Sequence, residues 1–287
     1  MKLTIRLAAL AAVLGACPIA GADPEVRWLG LKLARGIADT KDLGKPAELS
    51  YTRPSEGDST AVVNAGIYGI VGVRLPPFMS EFDGGISLHR NTAIAKKQNV
   101  VLSGLGARGE FVEWLQHHFS FQHKNNRLSG ARGGVASLDL IPYVPAMLNS
   151  RAKISDHISV VPTLAFGTEY ERVSSSDEKT ATELRGQGLE PTGSVLRLTA
   201  GAGFEFEFYE RVTFGGTVGY WRDQKQTGPF ARDEKSKSYR TLSLALPLDK
   251  AQNFAISIDY VRGNNPIEGV SDANYTQITF KLKPSFL

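Results

Sequence analysis

Residues 195–209 read VLRLTAGAGFEFEFY. Leu196, Leu198, Ala200, Ala202, Phe204, Phe206 and Phe208 occupy one parity, and Arg197, Thr199, Gly201, Gly203, Glu205 and Glu207 occupy the other. Successive side chains on a strand point to opposite faces, so this segment carries one apolar face and one polar face. Ordinary strands run for about 5–6 residues, whereas about 9–11 tilted residues cross a bilayer. The uninterrupted alternation therefore predicts a β-strand that spans a membrane.

The same pattern recurs toward the C-terminus. Residues 211–221 set Val212, Phe214, Val218 and Tyr220 against Thr213, Gly215, Thr217 and Gly219. Residues 238–246, 253–261 and 274–282 repeat it, with Ile256 and Ile258 against Ser257 and Asp259, and Ile278 and Phe280 against Gln277 and Lys281. In the first half the alternation is blurred, and strands are expected near 26–36, 45–53, 61–74, 80–90, 98–107, 112–123, 134–144 and 156–170. Connections alternate between short ones, at Glu210 and 247–252, and long polar ones, at 171–194, 222–237 and 262–273. Short turns at one end and long hydrophilic loops at the other describe an all-β, antiparallel, up-and-down transmembrane barrel with its long loops outside. Lipid leaves no backbone group unpaired, so such a sheet has to close on itself. The candidate segments bound the strand number between about ten and fourteen, and the even counts of single-chain barrels select twelve.

The N-terminus reads as an export signal. Lys2 and Arg6 precede an apolar stretch over 7–16, and Ala20-Gly21-Ala22 offers a cleavage site. Residues 1–22 are thus expected to form a signal peptide and 23–287 the barrel. Leu14-Gly15-Ala16-Cys17 is an alternative, lipoprotein-type processing site. Cys17 is the single cysteine, so cleavage after Ala22 leaves no thiol for a disulfide or metal. Removing Lys2 and Arg6 from 33 basic residues leaves 31 against 29 acidic ones, too even for a nucleic-acid-binding face. No later segment holds 18 uninterrupted apolar residues, which argues against a helical membrane protein. A mean hydropathy of −0.16 suits a soluble protein equally well and does not count against a barrel, in which lipid-facing and lumen-facing residues average out.

The signal peptide, the alternating strands and the C-terminal aromatic resemble the outer-membrane β-barrel superfamily of Gram-negative bacteria. The resemblance covers the mature chain as architecture and implies export through the inner membrane and residence in the bacterial outer membrane. It also implies outer-membrane lipid and lipopolysaccharide as surroundings, and assembly by the barrel assembly machinery. The superfamily's last strand commonly ends in Phe; here Tyr275, Ile278, Phe280 and Leu282 fit loosely, and Phe286 is penultimate.

Several groups of residues bear on chemistry. His118-Phe119-Ser120 resembles the His-x-Ser of outer-membrane lipid A deacylases and phospholipases, in which histidine activates serine for attack on an acyl ester. His118 and Ser120 share a parity with Gln116 and Gln122, which aims them at the lumen, whereas those enzymes present their pair to lipid. His117 and His118 project to opposite faces and no acidic or cysteine partner is spaced to complete four ligands, so no metal site is expected. Glu205 and Glu207 stand about 6–7 Å apart on one face, but no aromatic sugar platform accompanies them. Glycine pairs such as Gly104/Gly106 lack the Gly-Lys-Ser/Thr of a phosphate loop, and no cofactor is expected. Trp28, Trp114 and Trp221, with Tyr220 and Tyr260, suit an interfacial aromatic girdle.

The primary expectation is a passive channel for small hydrophilic solutes. Arg197, Glu205, Glu207, Asp259, Gln277, Lys281, Gln116 and Gln122 would line its lumen, since charged rings set solute preference in a pore. The alternatives are a lipid hydrolase built on Ser120 and His118, a non-conducting barrel with a plugged lumen whose loops bind or which serves a structural role, and a secreted soluble β-protein.

Overall fold

The computed structural model describes residues 26–35, 37, 47–52, 60–73, 79–92, 98–209, 211–231, 234–249, 253–266, 270–282 and 285–286. Residues 1–22, including Cys17, lie outside them. The strands are β1 (Val26–Ala34), β2 (Ala47–Thr52), β3 (Thr60–Val73), β4 (Glu81–Asn91), β5 (Gln98–Val112), β6 (Leu115–Asn126), β7 (Arg132–Pro142), β8 (Ala152–Ser155) and β9 (Ile158–Ser175). They continue with β10 (Gly193–Phe208), β11 (Val212–Gln226), β12 (Ser236–Pro247), β13 (Phe254–Asn265), β14 (Val270–Leu282) and β15 (Ser285–Phe286). Each pairs antiparallel with its neighbour, and together they form a closed barrel of twelve staves.

Closure depends on the two chain ends. β1 pairs the second half of β3, from Val26↔Val73 to Ala34↔Gly66, and β2 pairs the first half, from Glu48↔Asn64 to Thr52↔Thr60. The two strands are therefore successive halves of one stave. β14 and β15 form another, with β14 bonded to β2 and β15 to β1. Segments 26–36 and 45–53, expected as separate strands, thus share one position in the wall. Apart from the flap β8 and the two-residue β15, each described strand is bonded on both sides, so the sheet closes.

Just past β1 two described residues point inward. Arg35 and Ile37 are almost fully buried, and Ile37 packs against Ala34 and Tyr68 on the inner wall. Its carbonyl accepts a hydrogen bond from Arg108 on β5.

Burial follows the alternation read from the sequence. On β10, Leu196, Leu198 and Phe204 are exposed while Arg197 and Glu207 are buried. Exposed apolar residues ring the outside, among them Leu31, Ile67, Ile86, Leu105, Phe121, Phe166, Leu242, Ile258 and Ile278. Together they make an apolar belt around the wall, the reverse of the surface of a water-soluble protein. Trp28 and Trp114 are exposed, as a girdle demands. Trp221 corrects that expectation: it faces inward and is buried with Tyr239, Val261 and Ala273.

Three boundaries differ from the sequence reading. β5 and β6 meet in a tight turn at Glu113-Trp114, which carries none of the Asn-Gly or Asp-Gly chemistry that marks a hairpin. β8 pairs the start of β9 as a short flap at the end of the barrel that holds the termini. The long polar stretches are strand at both of their ends, because β9 runs to Ser175, β11 to Gln226 and β13 to Asn265.

The remaining loop over 176–192 holds a helix, α1 (Glu178–Gly186), absent from the sequence expectation. Asp177 accepts from the Thr180 amide at 2.7 Å as its N-cap. At the other end Leu189 N–H bonds Leu184 C=O and Gly188 N–H bonds Arg185 C=O, with Gly188 at φ +73°. That pattern is a Schellman closure, and its left-handed position favours glycine.

Two predictions follow from this architecture. Ile258→Arg, in the middle of the outer belt, should lower unfolding stability in lipid vesicles by about 2–4 kcal/mol, read from urea titration. The Thr180 amide holds the Asp177 carboxyl below the usual carboxylate range. Its capping contribution is therefore present above the ordinary value of about 3.9 and disappears as pH falls through the depressed one. The Thr180 amide resonance should titrate with a midpoint below that ordinary value.

Candidate functional site

The interior is polar and arranged in clusters. Near the loop end, Arg197 on β10 is 1% exposed and lies among three carboxylates. Its guanidinium donates to Glu169, to Glu171 at 2.7 Å and to Asp223 at 3.1 Å. Lys124 reaches Glu171 at 2.8 Å, and Lys237 reaches Asp223 at 3.1 Å. Three cations thus balance three anions within one buried layer, as a low-dielectric interior requires. The Phe230 ring lies 5.5 Å from the guanidinium carbon, set there by the 3-10 turn Gly228–Phe230 between β11 and β12.

The layer spans the barrel. Lys124 stands on β6, yet it also donates to the Pro266 carbonyl at 2.9 Å, beyond the end of β13. β6 and β13 lie on opposite sides of the closed sheet order, so this bond bridges the lumen. Twelve strands about 4.8 Å apart, tilted by about 40°, enclose a cylinder about 24 Å across between backbones. A lysine side chain reaches only part of that width, so Pro266 stands inward of the wall.

A second cluster lies around the inturned segment after β1. Arg35 bonds Glu48 at 3.0 Å and reaches the Tyr239 hydroxyl at 3.5 Å. Glu48 also accepts from Asn64, whose side chain meets His89, and His89 meets Ser87. Tyr275 accepts from Asn91 at 2.9 Å.

Toward the terminal end, Arg108 is paired with Asp83, and His118 Nε2 lies 3.7 Å from the same carboxylate. Gly106 makes this approach possible. A Cβ there would stand 2.1 Å from Asp83 Oδ1 and 2.6 Å from His118 Nε2.

The residues singled out from the sequence fall as follows. Arg197, Glu207, Asp259, Gln277 and Gln122 are buried on the inner face. Lys281 bonds Asp259 at 2.9 Å and Ser243 at 2.7 Å. Gln277 accepts from Ser50, and Gln116 donates to Glu110. Glu207 is held by Arg151 and Ser159, whereas Glu205 is exposed, so the two acids occupy different environments.

Ser120 and His118 share the inner face but not a hydrogen bond. The Ser120 hydroxyl pairs with Ser137 at 2.7 Å and accepts from Gln122 at 3.3 Å, while His118 belongs to the Asp83 cluster. A nucleophile needs its base within hydrogen-bond reach, and an acyl chain outside the wall does not reach either residue. Among the described residues no cluster of metal-ligand type is present.

Sequence reasoning missed Glu169, Glu171, Asp223, Lys124 and Lys237. The signal that would have found them is the alternation of Glu169 and Glu171 with Tyr170 and Arg172, which has strand period without an apolar face.

Neither a protein-family model nor a curated protein matches this sequence. Among solved structures the chain is similar to the NanC porin in a rhombohedral crystal form. The identity is 10%, the match covers 84% of this chain and 98% of that one, and the TM-score is 0.44.

Arg197→Met removes one partner from three buried carboxylates. It should cost about 3–5 kcal/mol of unfolding stability, measured by urea titration in detergent against Leu198→Met on the outer face as control.

Proposed function

We propose that this chain is an outer-membrane barrel through which small hydrophilic solutes diffuse. The observation that carries the reading is the inversion of the barrel: an apolar exterior runs around the wall, and the inner face is charged and hydroxylated. Water-filled channels of this architecture need that arrangement, because a solute gives up its hydration only where polar groups replace it. The inner wall of β10 to β12 supports a path, since Thr199, Thr217, Thr241 and Ser243 are partly accessible and Glu205 is exposed. The Arg197 layer and the Lys124–Pro266 bridge form its narrowest level, so a solute passes only as those contacts give way. Slow passage of small molecules follows, rather than the flux of a wide pore.

A sealed barrel is the second reading, favoured by the burial of Arg197 and Glu169 to 1% exposure. Its activity would then lie in the loops at the open end of the strands.

Planar-bilayer recording separates the two. The purified chain should give small conductance steps. Lys124→Ala, which removes the tie to Pro266 and Glu171, should enlarge them about twofold or more by unblocking the narrowest level. Glu205→Gln should reduce cation preference. Silence of the inserted wild type and of Lys124→Ala would leave the sealed barrel.

A further inference from the structure

Arginines mark the loop-side border of the outer apolar belt. On the outward parity, the first residue beyond the last apolar side chain is Arg90 after Leu88 on β4, Arg172 after Tyr170 on β9 and Arg222 after Tyr220 on β11. It is Arg240 after Leu242 on β12 and Arg262 after Tyr260 on β13. All of these arginines are exposed.

The register brings two of them together. Arg240 and Arg262 are direct cross-strand partners between β12 and β13. Directly opposed residues have Cβ atoms about 5 Å apart, and like charges placed so repel. Inside the barrel, every buried arginine cluster is matched by carboxylates. On this border, none of these arginines forms an ion pair with any described residue. The outward residues around them, Ser174 beyond Arg172, Gln224 beyond Arg222, Ser238 beyond Arg240 and Asn274 opposite Arg262, are uncharged.

We propose that this border, centred on Arg240 and Arg262, binds the phosphate groups of an anionic glycolipid in the surrounding leaflet. The cations sit immediately beyond the hydrocarbon level, where headgroup phosphates lie. The guanidinium fork engages phosphate oxygens two at a time. Tyr170, Tyr220 and Tyr260 lie one step below, where an amphipathic ring packs beside acyl chains and sugar while its hydroxyl remains wet. A soluble anion would gain nothing from the apolar belt beneath, whereas a phosphorylated lipid is held by both. The inference rests on the membrane placement and is independent of conduction.

The experiment uses the full chain, with diphosphoryl lipid A as probe and phosphatidylcholine as the zwitterionic comparison. Flotation with vesicles first scores insertion, and a heat-dependent shift in electrophoretic mobility scores folding. Native mass spectrometry then scores lipid retention. The wild type should retain diphosphoryl lipid A in preference to phosphatidylcholine. The double variant Arg240→Gln/Arg262→Gln should bind it at least about tenfold more weakly. Arg240→Lys/Arg262→Lys should fall between, keeping charge without the fork, and Arg211→Gln at the opposite end should match wild type. Equal retention by a folded double variant, equal binding of phosphatidylcholine, or displacement by millimolar inorganic phosphate would each overturn the proposal. Failure to float would instead remove the membrane placement on which it stands.

Discussion

The structure depends on one constraint: the backbone N–H and C=O groups of each stave are paired with those of its neighbours, a pairing that a lipid surrounding would make obligatory. A sheet satisfies this only by closing. Here closure is made by two composite staves, β1 with β2 and β14 with β15, which meet along the seam. The break between β1 and β2 costs little hydrogen bonding, because β3 continues past it and pairs both halves in turn. Arg35 and Ile37 therefore reach the inner wall without opening an edge.

Closure also inverts the usual placement of polarity. Charged residues that would coat a soluble protein are gathered inside, where the dielectric is lower and an unpaired charge is costly. The interior responds by neutralising itself locally. Arg197, Lys124 and Lys237 face Glu169, Glu171 and Asp223, and Lys281 faces Asp259. Such pairs add little net stability over an apolar core but penalise any single loss heavily. They make the lumen a rigid and specific environment. Outside, at the loop border, the arginines have no such balance among the described residues.

How much of this was legible depends on whether a strand touches hydrocarbon. Residues 195–209 and 253–261 have one oily face, and their orientation could be read directly. At the loop end of β9, inward Glu171 alternates with outward Arg172, and on β11 inward Asp223 follows outward Arg222. Both faces are polar there, the contrast vanishes, and strand reads as loop. The Glu113-Trp114 turn was hidden for a different reason, since its geometry is imposed by the flanking ladder rather than by turn-forming residues. α1 was hidden because its polar composition offers no apolar stripe of helical period.

The sequence by itself determined the class of the fold, the outward and inward sides of the strong strands and the location of the greasy belt, because period-two alternation is a local property of the chain. Only the tertiary structure decided which inward residues meet. Lys124 finds the Pro266 carbonyl, and Arg35 finds Tyr239, across long separations in sequence. Those partners are chosen by the register and closure of the whole sheet, which no local pattern encodes.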